Sequence, residues 1–208
     1  MEDVLHQYAQ PFDPEYPLVC MDEASRQLIG QVVSPLPAQP GQPQLQDYEY
    51  IRNGVCNLFV LCQPQIGWRR VIVTEQRTKQ EWAQVIRTLV DVEFPAARRI
   101  RLVLDNLNTH VGGALYETFP PDEARRLMQK LEFHYTPKHA SWLNMAEIEI
   151  SILARQCLDR RMDDRAFLER EVNAWQAERN EQRARIHWTF TIASARHKLR
   201  RLYPALTT

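Results

Sequence analysis

Two aspartates in this 208-residue sequence each follow a short apolar run, and acids in such positions can bind a metal ion. Asp22 follows PLVCM and Asp105 follows RLVL, and both runs are typical of buried strands. If the two strands are parallel neighbours, both carboxylates emerge at the edge where open α/β sheets bind ligands. An aspartate after a strand is more often part of a turn, so the metal hypothesis requires a third acid that converges on the same place.

The segment 137–151 supplies two candidates for the third acid, Glu147 and Glu149, near the start of a predicted helix. Side chains two residues apart on a helix point in roughly opposite directions, so only one of the pair can face the sheet. The residues three and four positions from Glu147 mix apolar and small polar side chains, which suits a buried helix that opens onto a site. The pattern alone does not decide between the two acids.

The elements that must position these acids follow from hydrophobic periodicity and from turn residues. Thr78 and Glu81 have the spacing of a capping box, which predicts the start of a helix. Residues 34–50 contain four prolines and are predicted to form a loop. The predicted strands are 17–23, 26–33, 54–64, 67–76, 100–105 and 132–137, and the predicted helices are 78–94, 120–131, 142–161, 164–185 and 191–204. This order predicts an α/β protein with a mixed sheet and helices on both faces.

The composition indicates an ordinary globular protein. Apolar residues make up 44% and charged residues 25% of the sequence, and no apolar run reaches membrane-spanning length. The first residues lack the basic start and apolar core of a signal peptide. The four cysteines form no C-x-x-C pair, so we expect reduced, buried thiols and no zinc site.

The charges are unevenly distributed, although the formal net charge is zero. Residues 1–150 contain 14 Lys and Arg against 19 Asp and Glu, a net charge of −5. Residues 151–208 contain 12 against 7, a net charge of +5. This asymmetry fits an acidic centre with a basic arm. The alternative, which stays open here, is that charged helices simply solvate their outer faces.

Three motifs occur in a fixed order, and together they resemble the catalytic core of DDE transposases. They are VCMDE, RLVLDNLNTH and YTPKHASWLNMAEIEI. Bacterial insertion-sequence transposases related to the eukaryotic mariner group carry a strand-terminal Asp, a strand-terminal DN followed by a His, and an LNxxE helix start after Tyr-x-Pro. Each motif is weak by itself, whereas the ordered set is specific. The resemblance extends over nearly the whole chain, including EQRTKQEW and KLRRLYP.

The resemblance implies a ribonuclease H-like fold and assigns the acids. Asp22, Asp105 and Glu147 match the catalytic, metal-binding residues, and Glu149 becomes a neighbour. Glu23 is expected to point away from the site, because successive strand residues alternate faces. The implied cofactor is a pair of Mg²⁺ ions, for which Mn²⁺ can substitute. Two ions about 3.5–4 Å apart can assist an in-line displacement. Asp22 would bridge both ions, and the other two acids would each hold one.

Four further residues are candidates for contacts around the reaction centre. Asn106 would either bond a substrate phosphate or hold the turn after its strand. His110 would approach the scissile phosphate or a metal-bound water, or act as a helix cap. Lys138 and His139 would contact backbone phosphates, with simple solvation as the alternative for Lys138.

The basic arm supplies the candidate contacts to the DNA backbone. Arg196 and Arg200 are four residues apart and are predicted to share one face of the last helix. We expect them to hold flanking or target DNA across the acidic site, through contacts that do not read sequence.

The implied function is metal-dependent DNA strand cleavage by hydrolysis, followed by strand transfer by transesterification. The partners would be transposon ends and target DNA, bound by a homodimer in the bacterial cytoplasm, at the nucleoid. Residues 1–161 would form the catalytic core, with 34–50 as its loop, and residues 162–208 a basic helical extension. The alternatives are an inactive DNA- or protein-binding remnant and another nuclease on the same fold, such as a resolvase.

Family members also carry an N-terminal helix-turn-helix region that recognises the transposon ends. Nothing in the sequence resembles that region. We therefore expect a catalytic domain, either cut from a longer protein or encoded by the second reading frame of a split gene.

Overall fold

One five-stranded sheet carries both aspartates in the computed structural model, which describes residues 1–43, 45, 47–107 and 110–203. The strands are β1 (Leu18–Gln31), β2 (Tyr50–Gln63), β3 (Trp68–Thr74), β4 (Ile100–Leu104) and β5 (Leu131–Tyr135). Their order across the sheet is β3-β2-β1-β4-β5. The first three strands are antiparallel, whereas β4 runs parallel to both β1 and β5. The sheet is therefore mixed, as predicted, and the strands of Asp22 and Asp105 are parallel neighbours.

Seven α-helices and three short helical turns complete the described residues. The helices are α1 (Glu2–Ala9), α2 (Lys79–Thr88), α3 (Gly113–Thr118), α4 (Pro121–Gln129), α5 (Met145–Gln156), α6 (Arg165–Glu181) and α7 (Ile192–Lys198). A π-helical turn spans Leu89–Glu93, and 3₁₀ turns span Ser141–Leu143 and Arg200–Leu202. Parts of the predicted 34–50 loop and the end of the predicted 162–208 extension lie outside the described residues. The division at residue 161 stays a prediction.

Helices cover both faces of the sheet. On one face Trp82 of α2, Leu115 of α3 and Leu127 of α4 belong to a core that includes Val19 and Met21. On the other face α5 and α6 contribute to a core that includes Leu58, Val60 and Val71 of the antiparallel strands. A smaller cluster on that face joins Leu18 and Cys20 to the start of α5. Since side chains alternate along a strand, β1 directs even-numbered residues towards α5 and odd-numbered residues towards α2.

The start of α2 is the capping box that the sequence predicts. Thr78 Oγ1 accepts a hydrogen bond from the Glu81 backbone N–H at 3.3 Å, and the Glu81 carboxylate accepts from the Thr78 N–H at 3.3 Å. The segment PQIG between the predicted strands 54–64 and 67–76 also predicts a hairpin. The structure confirms it as the β2–β3 hairpin, with Gly67 in the left-handed region at φ 74°.

The prediction of two short strands over 17–33 is wrong, because β1 is a single strand of 14 residues. Its polar middle stays paired to β2 through the backbone, from Asp22 opposite Val60 to Arg26 opposite Cys56. The polar side chains there have partners of their own: Ser25 donates to Asn57 at 2.6 Å, and Arg26 donates to the carbonyl of Arg160 at 2.8 Å. Asp22 therefore lies within β1 and not at its end.

Two helices were not expected from the sequence, α1 and α3. Both are short, at eight and six residues, and too few turns are present for a clear helical period.

All four cysteines are free, buried thiols, as predicted. Within the described residues, every helix is too short or too polar to span a bilayer.

Candidate metal centre

Asp22 lies on β1, and Asp105 directly follows β4, the parallel strand beside it. Cys20 pairs with Val103 at the end of the β1–β4 ladder, and each aspartate is two residues further along the chain. Side chains two apart on a strand point to the same face, so Asp22 continues the face formed by Cys20. That face packs against Met145 and Ala146 at the start of α5, whose first turn carries Glu147.

The start of α5 is tied to β1 beside Asp22 by Asn144. This fully buried side chain donates to the carbonyl of Met21 at 2.7 Å and accepts from the Ala146 N–H at 3.1 Å. It therefore caps the helix and fixes it to the residue before Asp22. No capping role was predicted for Asn144 from the sequence, although an asparagine before a helical run is a recognised N-cap signal.

The carboxylate of Asp22 has a pKa raised to about 6. Burial is the largest cause, and the negative charges of Asp105 and Glu147 raise the pKa further. The Glu23 N–H, which donates to Asp22 Oδ1 at 2.8 Å, acts in the opposite direction. Asp105 and Glu147 therefore both repel an ionised Asp22, and a bound cation would relieve that repulsion.

The donor set suits Mg²⁺, which prefers carboxylate oxygens and usually binds to one or two of them together with water and phosphate. As placed, however, no three His, Cys, Asp or Glu side chains among the described residues form a group that could hold a metal ion. The roles of Asp22, Asp105 and Glu147 as metal ligands and catalytic residues accordingly stay predictions.

Glu149 lies in a different environment from Glu147. Its fully buried carboxylate is 2.6 Å from Arg69 Nε on β3 and 3.1 Å from Arg179 Nε on α6. Glu147, in contrast, is only half-buried and acts electrostatically on Asp22.

His110 lies behind Asp105 and is completely buried. Its Nδ1 is 2.5 Å from Asp105 Oδ1 and its Nε2 is 2.7 Å from Glu23 Oε1. The ring also stacks on Trp82, with 5.9 Å between ring centroids. Burial alone would lower the pKa of His110, but the hydrogen bonds to Asp105 and Glu23 outweigh it and raise the pKa to about 9. At neutral pH the ring is therefore a cation that donates to both carboxylates.

This arrangement changes two expectations. His110 has no exposed atom with which to approach a scissile phosphate, so it supports Asp105 instead. Glu23 leaves β1 on the opposite face from Asp22, as pleating requires, yet it is not remote from the centre, because it reaches Asp105 through His110.

A cleft of about 400 Å³ opens beside Asp105. Its walls include Asn106, Lys138 and His139, all of which are exposed. His139 has a left-handed backbone with φ 64°, a strained conformation for a residue with a side chain. The structure thus brings these three residues to one cleft next to Asp105, and their contact with phosphate stays a prediction.

The prediction that Arg196 and Arg200 share one helical face is wrong. The helix α7 ends at Lys198, since Leu199 leaves helical geometry with φ −108° and ψ 23°, and Arg200 begins a separate 3₁₀ turn. Arg196 forms two hydrogen bonds of 2.7 Å with the carboxylate of Glu2 on α1. Both arginines are nevertheless exposed.

The raised pKa of Asp22 predicts that Asp22→Asn stabilises the metal-free protein at neutral pH. A carboxyl with a raised pKa contributes stability below about pH 4, and that contribution is lost as the pH rises through about 6. We expect the substitution to raise the free energy of unfolding by roughly 1–3 kcal/mol at neutral pH and by little in acid. Urea unfolding with a chelator at both pH values measures this. An exposed control, Asp159→Asn, should change little, and a destabilised Asp22→Asn variant at neutral pH would contradict the prediction.

Comparisons with known proteins agree with this architecture. A family model described as DDE superfamily endonuclease matches residues 17–169. Among solved structures, a Mos1 transposase paired-end complex with left transposon end is similar with a TM-score of 0.57 at 16% identity, over 87% of this chain and 55% of that chain. A Mos1 strand transfer complex is similar with a TM-score of 0.57 at 14% identity, over 89% of this chain and 59% of that chain.

The chain thus spans less than two thirds of the length of these two proteins. The comparison with curated protein sequences gave no match. The structural likeness confirms the predicted ribonuclease H-like fold, a mixed five-stranded sheet flanked by helices.

Proposed function

The chain belongs to the DDE superfamily endonucleases, and on that premise we propose that it is the catalytic domain of a transposase, which cuts DNA strands and joins them to new positions. One observation carries the proposal. Asp22 and Asp105 each lie two residues beyond the paired residues Cys20 and Val103 of adjacent parallel strands. Glu147 lies on a helix that Asn144 ties to β1.

We propose that Asp22, Asp105 and Glu147 hold the divalent metal ions, Mg²⁺ or Mn²⁺. Bound ions of this kind lower the pKa of water and stabilise charge on the leaving oxygen of a phosphodiester. The mutual repulsion recorded in the raised pKa of Asp22 supports this role, because a cation between the acids would remove it.

The residues around the acids would orient the acids and the DNA. His110, held between Glu23 and Asp105, keeps the Asp105 carboxylate in one orientation. The cleft formed by Asn106, Lys138 and His139 would take the DNA backbone next to the acids, with Lys138 as the cation that meets a phosphate.

Transposon ends and target DNA are the proposed partners, bound by a homodimer. The two similar solved structures are a complex with a transposon end and a strand transfer complex, and these descriptions belong to Mos1. The net charge of +5 over residues 151–208 supports contact with DNA backbone, with Arg200 the freer of the two arginines, since Arg196 is paired with Glu2.

Nicking of supercoiled plasmid tests the proposal without knowledge of the terminal sequences. We expect the purified chain to convert plasmid to nicked and linear forms with Mg²⁺ or Mn²⁺ and not with a chelator, because the acids act only through the ions. Asp22→Asn and Glu147→Gln serve as inactive controls. Equal nicking by these variants would assign the activity to another site or a contaminant. DNA binding without any cleavage would favour the inactive remnant.

A further inference from the structure

A buried ion cluster lies two residues from Glu147 and has no part in the proposed chemistry. Glu149, Arg69 and Arg179 form this cluster, which we call the buried ion triad. The side chains of Glu149 and Arg69 are 0% and 1% exposed, and that of Arg179 is 14% exposed. Among the ion pairs of the described residues, both side chains are almost fully buried in the pair of Arg69 and Glu149 and in the pair of His110 and Glu23.

Stability by itself is a poor explanation for the buried ion triad. Removing two charges from water costs free energy, and well-packed apolar residues of the same volume often stabilise a fold equally well or better. The pairing here is also incomplete, because Glu149 Oε2 and Arg69 Nε are buried without a well-aligned hydrogen bond. An interaction of this kind is better suited to selecting one geometry than to adding stability.

Each partner of the triad belongs to a different element. Arg69 is fixed to β3 and α6, because its N–H donates to Asn180 Oδ1 at 2.8 Å and its carbonyl accepts from Asn180 Nδ2 at 2.9 Å. Arg179 is the residue before Asn180 on α6. The two guanidinium groups are therefore held by the sheet and by α6. Glu149 is the group through which α5 binds to them.

The helix α5 is thereby attached at two points on different sides. Asn144 fixes its first residues to β1, and Glu149 fixes the following turn to β3 and α6. At about 100° per residue, Glu149 points roughly 200° away from Glu147 around the helix axis. Any rotation of α5 that moved Glu147 away from the aspartates would have to pull a buried carboxylate from two arginines.

We propose that Glu149 is a positioning residue: its ion triad with Arg69 and Arg179 fixes the rotation of α5 and so directs Glu147 towards Asp22 and Asp105. The inference rests on the proposed function, since it concerns the orientation of a proposed metal ligand. It predicts that metal affinity depends on the triad even where the stability of the fold does not.

Two variants separate orientation from stability. Glu149→Gln keeps the shape but leaves Arg69 buried without its counter-ion, so loss of stability is expected. The double variant Glu149→Met with Arg69→Met removes both buried charges at similar volume and is expected to keep or raise the urea midpoint of unfolding. The matched control is Glu169→Gln, which breaks an exposed ion pair with Arg165 on α6.

Mn²⁺ binding, followed by the electron paramagnetic resonance of the free ion, is the first readout. We expect the double variant to be folded but to bind Mn²⁺ about 10–100-fold more weakly and to nick plasmid correspondingly more slowly, whereas Glu169→Gln matches the parent. Parental Mn²⁺ affinity and nicking in the double variant would overturn the proposal and leave the triad a structural feature only.

Failure of the proposed function has a different signature. If the parent protein itself binds no Mn²⁺ and nicks no plasmid, the proposed function fails, and hydrogen exchange then tests the triad alone. Faster exchange confined to α5 in the double variant, at an unchanged urea midpoint, supports the fixing of this helix. Unchanged protection of α5 overturns it.

Discussion

Asparagine in place of Asp105 is expected to lower metal-dependent DNA nicking by at least about 10³-fold, which corresponds to roughly 4 kcal/mol of lost transition-state stabilisation. The amide keeps the shape of the side chain and can still accept the hydrogen bond from His110 Nδ1. It loses the negative charge and one anionic ligand, which is the part that a divalent cation requires. Plasmid nicking under single-turnover conditions, with Mg²⁺ and with Mn²⁺, measures the loss.

The control for this experiment is Asp122→Asn, an exposed acid in the first turn of α4. It should nick at the parental rate. An Asp105→Asn variant that retained more than about a tenth of the parental rate would remove Asp105 from the reaction centre.

Removal of His110 is expected to produce the largest loss of stability. His110→Ala leaves the carboxylates of Glu23 and Asp105 facing a cavity without the cation that both now contact. Breaking a buried ion pair by removing one partner typically costs about 3–5 kcal/mol. Urea unfolding in the presence of a chelator, near neutral pH, measures this loss.

His134→Ala is the matched control, because His134 is also buried but contacts the exposed carboxylates of Asp3 and Glu132. Water can solvate those two acids after the substitution, so the loss in free energy of unfolding should be smaller than for His110→Ala. If the two alanine variants lose the same free energy of unfolding, the contacts of His110 with Glu23 and Asp105 do not act as a buried ion cluster.

The pH dependence gives a second test of His110. Its pKa is raised from the ordinary 6.5 to about 9, so its contribution to stability is complete below about pH 6.5 and is lost as the pH rises through about 9. The parental protein should therefore lose stability over this interval, and His110→Ala should lose less. Parallel curves would mean that the ring is neutral in the folded protein.

Local signals predicted much of the fold. The Thr78 capping box and the turn before β3 depend on neighbouring residues alone, and both are present in the structure. The continuity of β1 could not be predicted in the same way. Its polar middle satisfies its side chains with Asn57, Leu158 and Arg160, which are distant in sequence, so no local pattern marks these residues as strand.

The candidate site was likewise predictable only where the signal is local in the sequence. Strand patterns and motif order pointed to Asp22 and Asp105, and each of them lies two residues beyond the last pair of the β1–β4 ladder. The support from Glu23 through His110 was missed, because alternation of faces says nothing about a distant histidine that contacts two carboxylates. The environment of Glu149 could not be predicted from the sequence either, because both of its arginine partners belong to other elements.

The tie between Asn144 and Met21 joins residues 123 positions apart, and it constrains when a newly made chain can assemble the proposed metal centre. A ribosome adds about 5–20 residues per second, so Glu147 is synthesised roughly 6–25 seconds after Asp22. Arg179, which holds α5 from the other side, follows later still. Contacts so distant in sequence require loop-closure entropy to be lost before they stabilise the fold. A nascent or prematurely terminated chain that ends before α5 therefore holds two of the three proposed metal ligands and lacks the proposed reaction centre.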